Sequence, residues 1–321
     1  MNPEKHFFIF DLDNTLGIKR PFYTDIPKES VGFLKKLSTA GHILGFATDR
    51  PRSLTFLSMQ RAGLTQEEIE KLFAIRIYED GLLSEVNQSV VYDALDHAPA
   101  LYRDLKKICF NSDAVDFFKK NGFDLHPSSA IDNFEGVFAE VDYEHNPIGE
   151  IKIDKNIPSV YRQDNIVRET YKFPDYFFPD LESLDCNLDK LYNLIEQYLS
   201  LKTDKWKEVA LLKKWKDSID VYPKIDGEIN RKGKALADTL VHLNLDKNTP
   251  LWICCDGEND IPLVDFAKQN FPNYRVVCPS NIKTSLKDYL EQNKINFFIT
   301  EEDCTRFNEG LNKLIIEKEL I

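Results

Sequence analysis

Two short apolar runs that each end in aspartates constrain this chain more than anything else in it. FFIF at 7–10 runs straight into Asp11 and Asp13, and LWICC at 251–255 runs into Asp256 and Asp260. Four or five apolar residues without polar alternation suit a strand covered on both faces, as in a parallel sheet between layers of helices. Carboxylates at the carboxyl ends of such strands fall where open α/β sheets bind ligands. They are expensive to bury unless a cation or a positive partner compensates them.

Both terminal regions carry the matching pattern. HILGFAT at 42–48, FAIRIY at 73–78, YRVVC at 274–278 and NFFIT at 296–300 predict further strands. Between them, 27–40 places Val31, Phe33, Leu34 and Leu37 at helical spacing, with Pro27 at its start and Gly41 past its end. Helices are also predicted over 51–62, 261–270, 282–292 and 306–317. From about 80 to 220 the chain is richer in Pro, Asn and Asp. There VFAEVDY at 137–143 and GEIKID at 149–154 look like strands, and 113–121, 187–200 and 205–217 look helical. Expected, therefore, is an α/β protein. A Rossmann-like parallel-sheet core from residues 1–95 and 220–321 is interrupted by an inserted α+β domain over 96–219.

Charge narrows the partners. The chain has 41 Lys and Arg against 53 Asp and Glu, a net charge of −12 over 321 residues. Such a surface repels nucleic-acid backbones and anionic lipid, so neither is an expected partner. The apolar stretch after MNPEK is cut short by Asp11, which does not suit a signal peptide, and no run is long enough to span a membrane. The six cysteines are irregularly spaced with no C-x-x-C pair. Free thiols in a reducing compartment, and hence a cytoplasmic location, are expected.

The acidic strand ends suggest chemistry. One aspartate can attack as a nucleophile while a second moves protons. The plain alternative for Asp11 and Asp13 alone is an acidic turn. The second acidic end, with Gly257 allowing a sharp turn, makes a magnesium site of hard oxygen ligands the better reading. Thr48 closes a strand before Asp49, Arg50 and Pro51 open a helix, a place where a hydroxyl and backbone N–H groups suit phosphate. Lys232 and Lys234 stand at a helix start, against the helix dipole, which makes sense beside an anion.

DLDNTL, FATDR, RKGKAL and CCDGENDIPLV, in this order and strand context, resemble the four motifs of the haloacid dehalogenase (HAD) superfamily of aspartate-nucleophile phosphohydrolases. ATDRP, and KGKAL followed by DGENDIPLV, are most similar to its Cof-type sugar-phosphatase branch, and the resemblance covers roughly 1–80 and 225–321. It implies Asp11 as the nucleophile that forms an aspartyl-phosphate and Asp13 as general acid and base, with its backbone carbonyl on the metal. It implies phosphate binding by Thr48 and Lys232, with Arg50 and Asn259 in support. Magnesium would be held by Asp11, Asp13 and Asp256, with Asp260 nearby. Asn14, Asp49 and Cys255 stand where glycine is frequent in that branch, and Lys234 competes with Lys232 for the lysine role.

Thr48 follows Asp11 by 37 positions, room for one crossover, whereas Lys232 follows Thr48 by 184, room for a whole inserted domain. In the resembling branch that insert is a lid. The expected activity is magnesium-dependent hydrolysis of a phosphate monoester of a small metabolite, such as a sugar phosphate. Transfer of the phosphoryl group to a second sugar, as in a phosphotransferase or phosphomutase, is one alternative. A catalytically inert binding protein of the same fold is another.

Overall fold

The computed structural model describes residues 5–20, 23–132, 138–141, 147–151, 157–163, 165–173, 180–216, 218–225 and 231–317. In chain order the first stretch forms β1 (Phe7–Phe10), β2 (Ile18–Lys19), β3 (Thr24–Asp25), α1 (Lys28–Thr39), β4 (Ile43–Ala47), α2 (Arg52–Arg61), α3 (Gln66–Leu72), β5 (Ile75–Tyr78), β6 (Leu83–Val86) and β7 (Ser89–Asp93). The middle forms α4 (Ala94–His97), α5 (Ala100–Ile108), α6 (Ser112–Lys120), β8 (Asp124–Asp132), β9 (Phe138–Val141), β10 (Pro147–Ile151), β11 (Ser159–Gln163) and β12 (Glu169–Lys172). It continues with α7 (Leu181–Lys202), α8 (Trp206–Val209), β13 (Ala210–Lys214) and β14 (Ser218–Pro223). The chain then returns through α9 (Lys232–Leu243), β15 (Leu251–Cys254), α10 (Ile261–Asn270), β16 (Tyr274–Cys278), α11 (Thr284–Gln292), β17 (Phe297–Ile299) and α12 (Phe307–Glu317).

Two compact units result, Met1–Asp93 with Asn230–Ile321, and Ala94–Ile229. The sequence pattern placed the second boundary at 219/220, inside β14. That strand pairs with β12 and β13, so hydrogen bonding carries the insert past 220.

In the first unit an eight-stranded sheet has the order β17-β16-β15-β1-β4-β5-β6-β7. Six strands are parallel, and the hairpin β6–β7, which no apolar run in the sequence predicts, adds two antiparallel strands. β1 lies at the centre because FFIF is apolar on both faces, and all four residues are buried. Its neighbours are β15 and β4, with Phe10 level with Cys254 on one side and Phe46 on the other. Phe8 stacks on Trp252 with ring centroids 5.3 Å apart. The chain leaves β1 toward β4 and reaches β15 only after the insert. The centre of the sheet is therefore a switch point, and Asp11, Thr48 and Asp256 all emerge at the same carboxyl edge.

The helices follow the expected spacing. α1 buries Val31, Leu34 and Leu37, starts after extended Pro27, and ends before Gly41 at φ +92°. α3 escapes the apolar pattern and is set by a capping box between Thr65 and Glu68.

In the second unit a seven-stranded sheet has the order β10-β9-β8-β11-β12-β14-β13, with only β8 and β11 parallel. Tyr171 of β12 stacks on Phe110 at 4.4 Å and faces Phe118, which in turn meets Tyr198 of α7. Trp206 packs beside α7, its indole N–H donating to Ser200 Oγ at 2.9 Å. The helix expected over 205–217 is instead α8 followed by β13: Ala210 and Leu212 alternate inward, and pairing with β14 overrides the helical spacing. Trp215 consequently sits at the turn after β13, not on a helix, and donates to Asp220 Oδ2 at 2.7 Å. Tyr171 and Phe173 are buried, and 174–179 lie outside the described residues, as do 137, 142–143 and 152–154. All six cysteines are free thiols.

Candidate active site

β1 positions the first aspartate by extending its pairing one residue: the Asp11 N–H donates to the Cys254 carbonyl at 2.8 Å. The chain then turns. Asn14 adopts φ +60°, a left-handed conformation for which asparagine is the usual substitute for glycine. Its N–H reaches the Gly17 carbonyl at 2.7 Å. On the neighbouring strand the Cys255 N–H donates to Val277 O at 3.1 Å, so cysteine continues the β15 pairing and is buried in the core where glycine was expected. Asp256 follows directly.

Carboxylate oxygens of Asp11, Asp256 and Asp260 come within 4.8 Å of one another, all three buried. Lys232 reaches them from the first turn of α9. Its fully buried ammonium lies 2.7 Å from Asp260 Oδ1 and 3.4 Å from Asp11 Oδ1. Lys234 is exposed, so of the two lysines it is Lys232 that meets the carboxylates. Two glycines bring α9 this close. A Cβ on Gly233 would lie 2.2 Å from the Pro262 carbonyl oxygen, and one on Gly81 would lie 2.4 Å from the Arg231 carbonyl carbon. Gly81 also has φ +87°.

Three buried carboxylates surround one buried lysine, and their proton affinities show it. Burial first, then the charge of Asp260, pushes Asp11 well above the usual carboxylate range despite Lys232. Burial and Asp260 raise Asp256 to about 7. Burial raises Asp260, with Lys232 pulling it back. Burial alone would lower Lys232, but Asp260 and Asp11 hold it well above an ordinary lysine. Asp260 Oδ2 is buried without a hydrogen-bond partner among the described residues. A hard divalent cation fits this set: it supplies the missing positive charge and takes oxygen ligands of this kind.

Asp13 is placed differently. Its side chain is not part of the triad. Oδ1 accepts from Thr24 Oγ1 at 2.5 Å and from Arg50 Nε at 2.9 Å. Arg50 Nη2 is 2.9 Å from the same oxygen and also donates to the Arg20 carbonyl at 2.6 Å. Arg50, expected at the phosphate, meets Asp13 with Nε and Nη2. Thr48 is fully buried at the end of β4, its Oγ1 accepting from the Arg50 N–H at 3.2 Å. Asn259 lies half-buried in the turn before α10. Asp49 forms an ion pair with Lys19 at 3.6 Å.

Four contributors were not assigned from sequence. Thr15 Oγ1 lies between Asp11 and Asp256, at 3.4 and 3.5 Å, and its place in DLDNT was the available signal. Thr24 and Ser58 arrive through the β2–β3 hairpin and α2, with no local signature. Lys283 follows β16: its N–H donates to the Asp256 carbonyl at 2.8 Å, and its ammonium lies 2.8 Å from where a Gly257 Cβ would be.

The fold is that of the HAD superfamily. Among solved structures the chain is similar to the subclass IIB sugar phosphatase BT4131, at 15% identity and TM-score 0.52 over 99% of this chain and 100% of that one. It is similar to a Plasmodium vivax chain named as a HAD/COF-like hydrolase, at 14% identity and TM-score 0.53 over 97% of each. It is also similar to a member of a phosphoryl-transfer superfamily whose crystal structures show a trigonal-bipyramidal intermediate, at 15% identity and TM-score 0.51 over 99% and 100%. No family model and no curated protein matches the chain. Among the described residues no helix is long and apolar enough to cross a membrane.

Proposed function

We propose that the chain is a magnesium-dependent phosphohydrolase that cleaves a phosphate monoester of a small metabolite through an aspartyl-phosphate on Asp11. The observation that carries this reading is the pairing of two differently treated aspartates two residues apart. Asp11 faces a lysine and two further carboxylates, and Asp13 is held by neutral and cationic donors outside that group.

An Asp11 oxygen attacks phosphorus and the bond from phosphorus to the leaving oxygen breaks. Asp13 gives its proton to that oxygen, then takes one from the water that attacks the aspartyl-phosphate, releasing inorganic phosphate and restoring Asp11. Lys232 offsets charge on Asp11 and on the phosphoryl group, and Thr48 offers a buried hydroxyl at the same strand edge. Asp11 and Asp256, the Asp13 carbonyl and the nearby Asp260 would hold magnesium, which when bound neutralises charge between the carboxylates and the phosphoryl oxygens. BT4131 is named as a sugar phosphatase, and sugar phosphates are the first substrates to try. None of the residues named in this mechanism lies in the insert, 94–229.

The test is phosphate release from a panel of phosphorylated metabolites and an aryl phosphate. Activity is expected with magnesium, none after EDTA, and recovery on adding magnesium back. Full activity after exhaustive chelation overturns the assignment, and phosphoryl transfer to an added sugar in place of water would make the chain a phosphotransferase.

A further inference from the structure

Asp13 is held asymmetrically. Oδ1 is the acceptor for three donor contacts: Arg50 Nε and Nη2, each at 2.9 Å, and Thr24 Oγ1 at 2.5 Å. Oδ2 is buried and has no hydrogen bond among the described residues, and the Lys19 ammonium lies 3.8 Å from it. Lys19 is half exposed, so this contact is screened. A carboxyl oxygen facing a guanidinium fork cannot easily carry a proton, because arginine only donates. The proton that Asp13 handles therefore belongs on Oδ2, and the donors on Oδ1 determine where Oδ2 points.

Of those donors, Thr24 is the one with no role in any motif. It is fully buried in a strand of two residues, and its position is itself fixed. The Thr24 N–H donates to Ser58 Oγ at 2.8 Å, and Ser58 Oγ donates to the Leu54 carbonyl at 2.7 Å. The β2–β3 hairpin is thereby tied to α2, the helix that begins just after Arg50. Valine would fill the same volume as Thr24 with no hydroxyl, so burial alone does not call for threonine.

We infer that Thr24 is a positioning residue for general acid catalysis: its hydroxyl, anchored through Ser58, holds Asp13 so that Oδ2 can deliver a proton to the leaving oxygen. The inference rests on the phosphohydrolase reading and names a residue that reading does not require. Its signature is dependence on the leaving group. An alkyl alkoxide needs a proton as it departs, and a nitrophenolate hardly does.

The experiment measures kcat/KM, which reports the steps up to aspartyl-phosphate formation, for glucose 6-phosphate and 4-nitrophenyl phosphate with magnesium. Thr24→Val is expected to lose about tenfold or more on the sugar ester, a part of the roughly 10²–10⁴-fold worth of general acid catalysis, and less than about threefold on the aryl ester. Thr24→Ser, which keeps the hydroxyl, should recover most of the lost rate. Ser58→Ala, which keeps Thr24 but removes its anchor, should show the same pattern in weaker form. Circular dichroism and thermal melting establish that each variant is folded, and if Thr24→Val is not, the Ser58→Ala ratio decides. Equal losses on both esters, or no loss, overturn the inference while leaving the phosphohydrolase reading intact. If another alkyl phosphate of the panel is the better substrate it replaces glucose 6-phosphate in this comparison, and wild-type protein that releases phosphate from no member of the panel and from neither ester overturns both.

Discussion

In the insert, the buried carboxylate of Glu169 meets two cations, Lys106 at 2.7 Å and Arg162 at 2.8 Å. In the other unit, the buried carboxylates of Asp11, Asp256 and Asp260 lie together with one buried cation, Lys232, which meets Asp260 and Asp11, while the half-exposed Lys283 acts on Asp256 from outside. Asp220 of the insert is likewise satisfied, by Thr170 at 2.5 Å, Trp215 at 2.7 Å and Arg168 at 3.4 Å. The same residue types are thus balanced in one place and left negative in the other. Where charge is balanced internally the group needs nothing from outside, and its work is to hold a sheet together. Where it is left over, folding has stored a demand for a cation, and that demand marks the site.

The sharpest way to break this contrast is to remove the proposed nucleophile. Asp11→Asn should abolish turnover, because an amide does not attack phosphorus, while Asp13→Ala should cost about 10²–10⁴-fold. Phosphate-release assays on both variants check this, and wild-type rates in Asp11→Asn would exclude a covalent intermediate on Asp11. Next in size is the insert. Glu169→Gln leaves Lys106 and Arg162 without their counter-charge and should destabilise the protein by on the order of 3 kcal/mol, read from urea unfolding.

The opposite sign is expected at the acidic edge. Asp256→Asn removes a repulsive charge and should stabilise the magnesium-free protein at pH 8 by ~1–3 kcal/mol. If both substitutions destabilise equally, the two groups are not different in kind. The smallest effect is the pH slope. Asp256 titrates at about 7 in the folded chain, above an ordinary aspartate. Its protonated form therefore favours folding at low pH, and that contribution is lost as pH rises through about 7. Stability in EDTA should fall between pH 5 and 8, and Asp256→Asn or saturating magnesium should flatten the fall.

What could be read in the sequence follows the same division. Asp11, Asp13, Thr48, Asp256 and Asp260 were legible because each sits at or just past the end of a strand whose apolar run is unmistakable, and Lys232 because it opposes a helix dipole. Thr24 was not legible. β3 has two residues, too short for any periodicity, and its partner Asp13 lies 11 positions away through a hairpin. Lys283 reaches the Asp256 loop only because β16 lies beside β15. Arg50 was found but given a different partner, since no local pattern distinguishes an arginine aimed at a ligand from one aimed at Asp13. ALLKK of β13 suits either period, and only its pairing with β14 makes it a strand.

The close approach at Gly233 and Gly81 has a consequence for how this site can vary. The place of the Lys232 ammonium is a dimension set by backbone resting on backbone, α9 against Pro262 on one side and Gly81 against Arg231 on the other. Among the described residues the two nearest atoms at each contact are backbone atoms, which cannot rotate aside as a side-chain end can. The gap between the lysine and the carboxylates therefore has the stiffness of the sheet itself. Side chains that line the gap can be exchanged, whereas its width changes only when whole helices move.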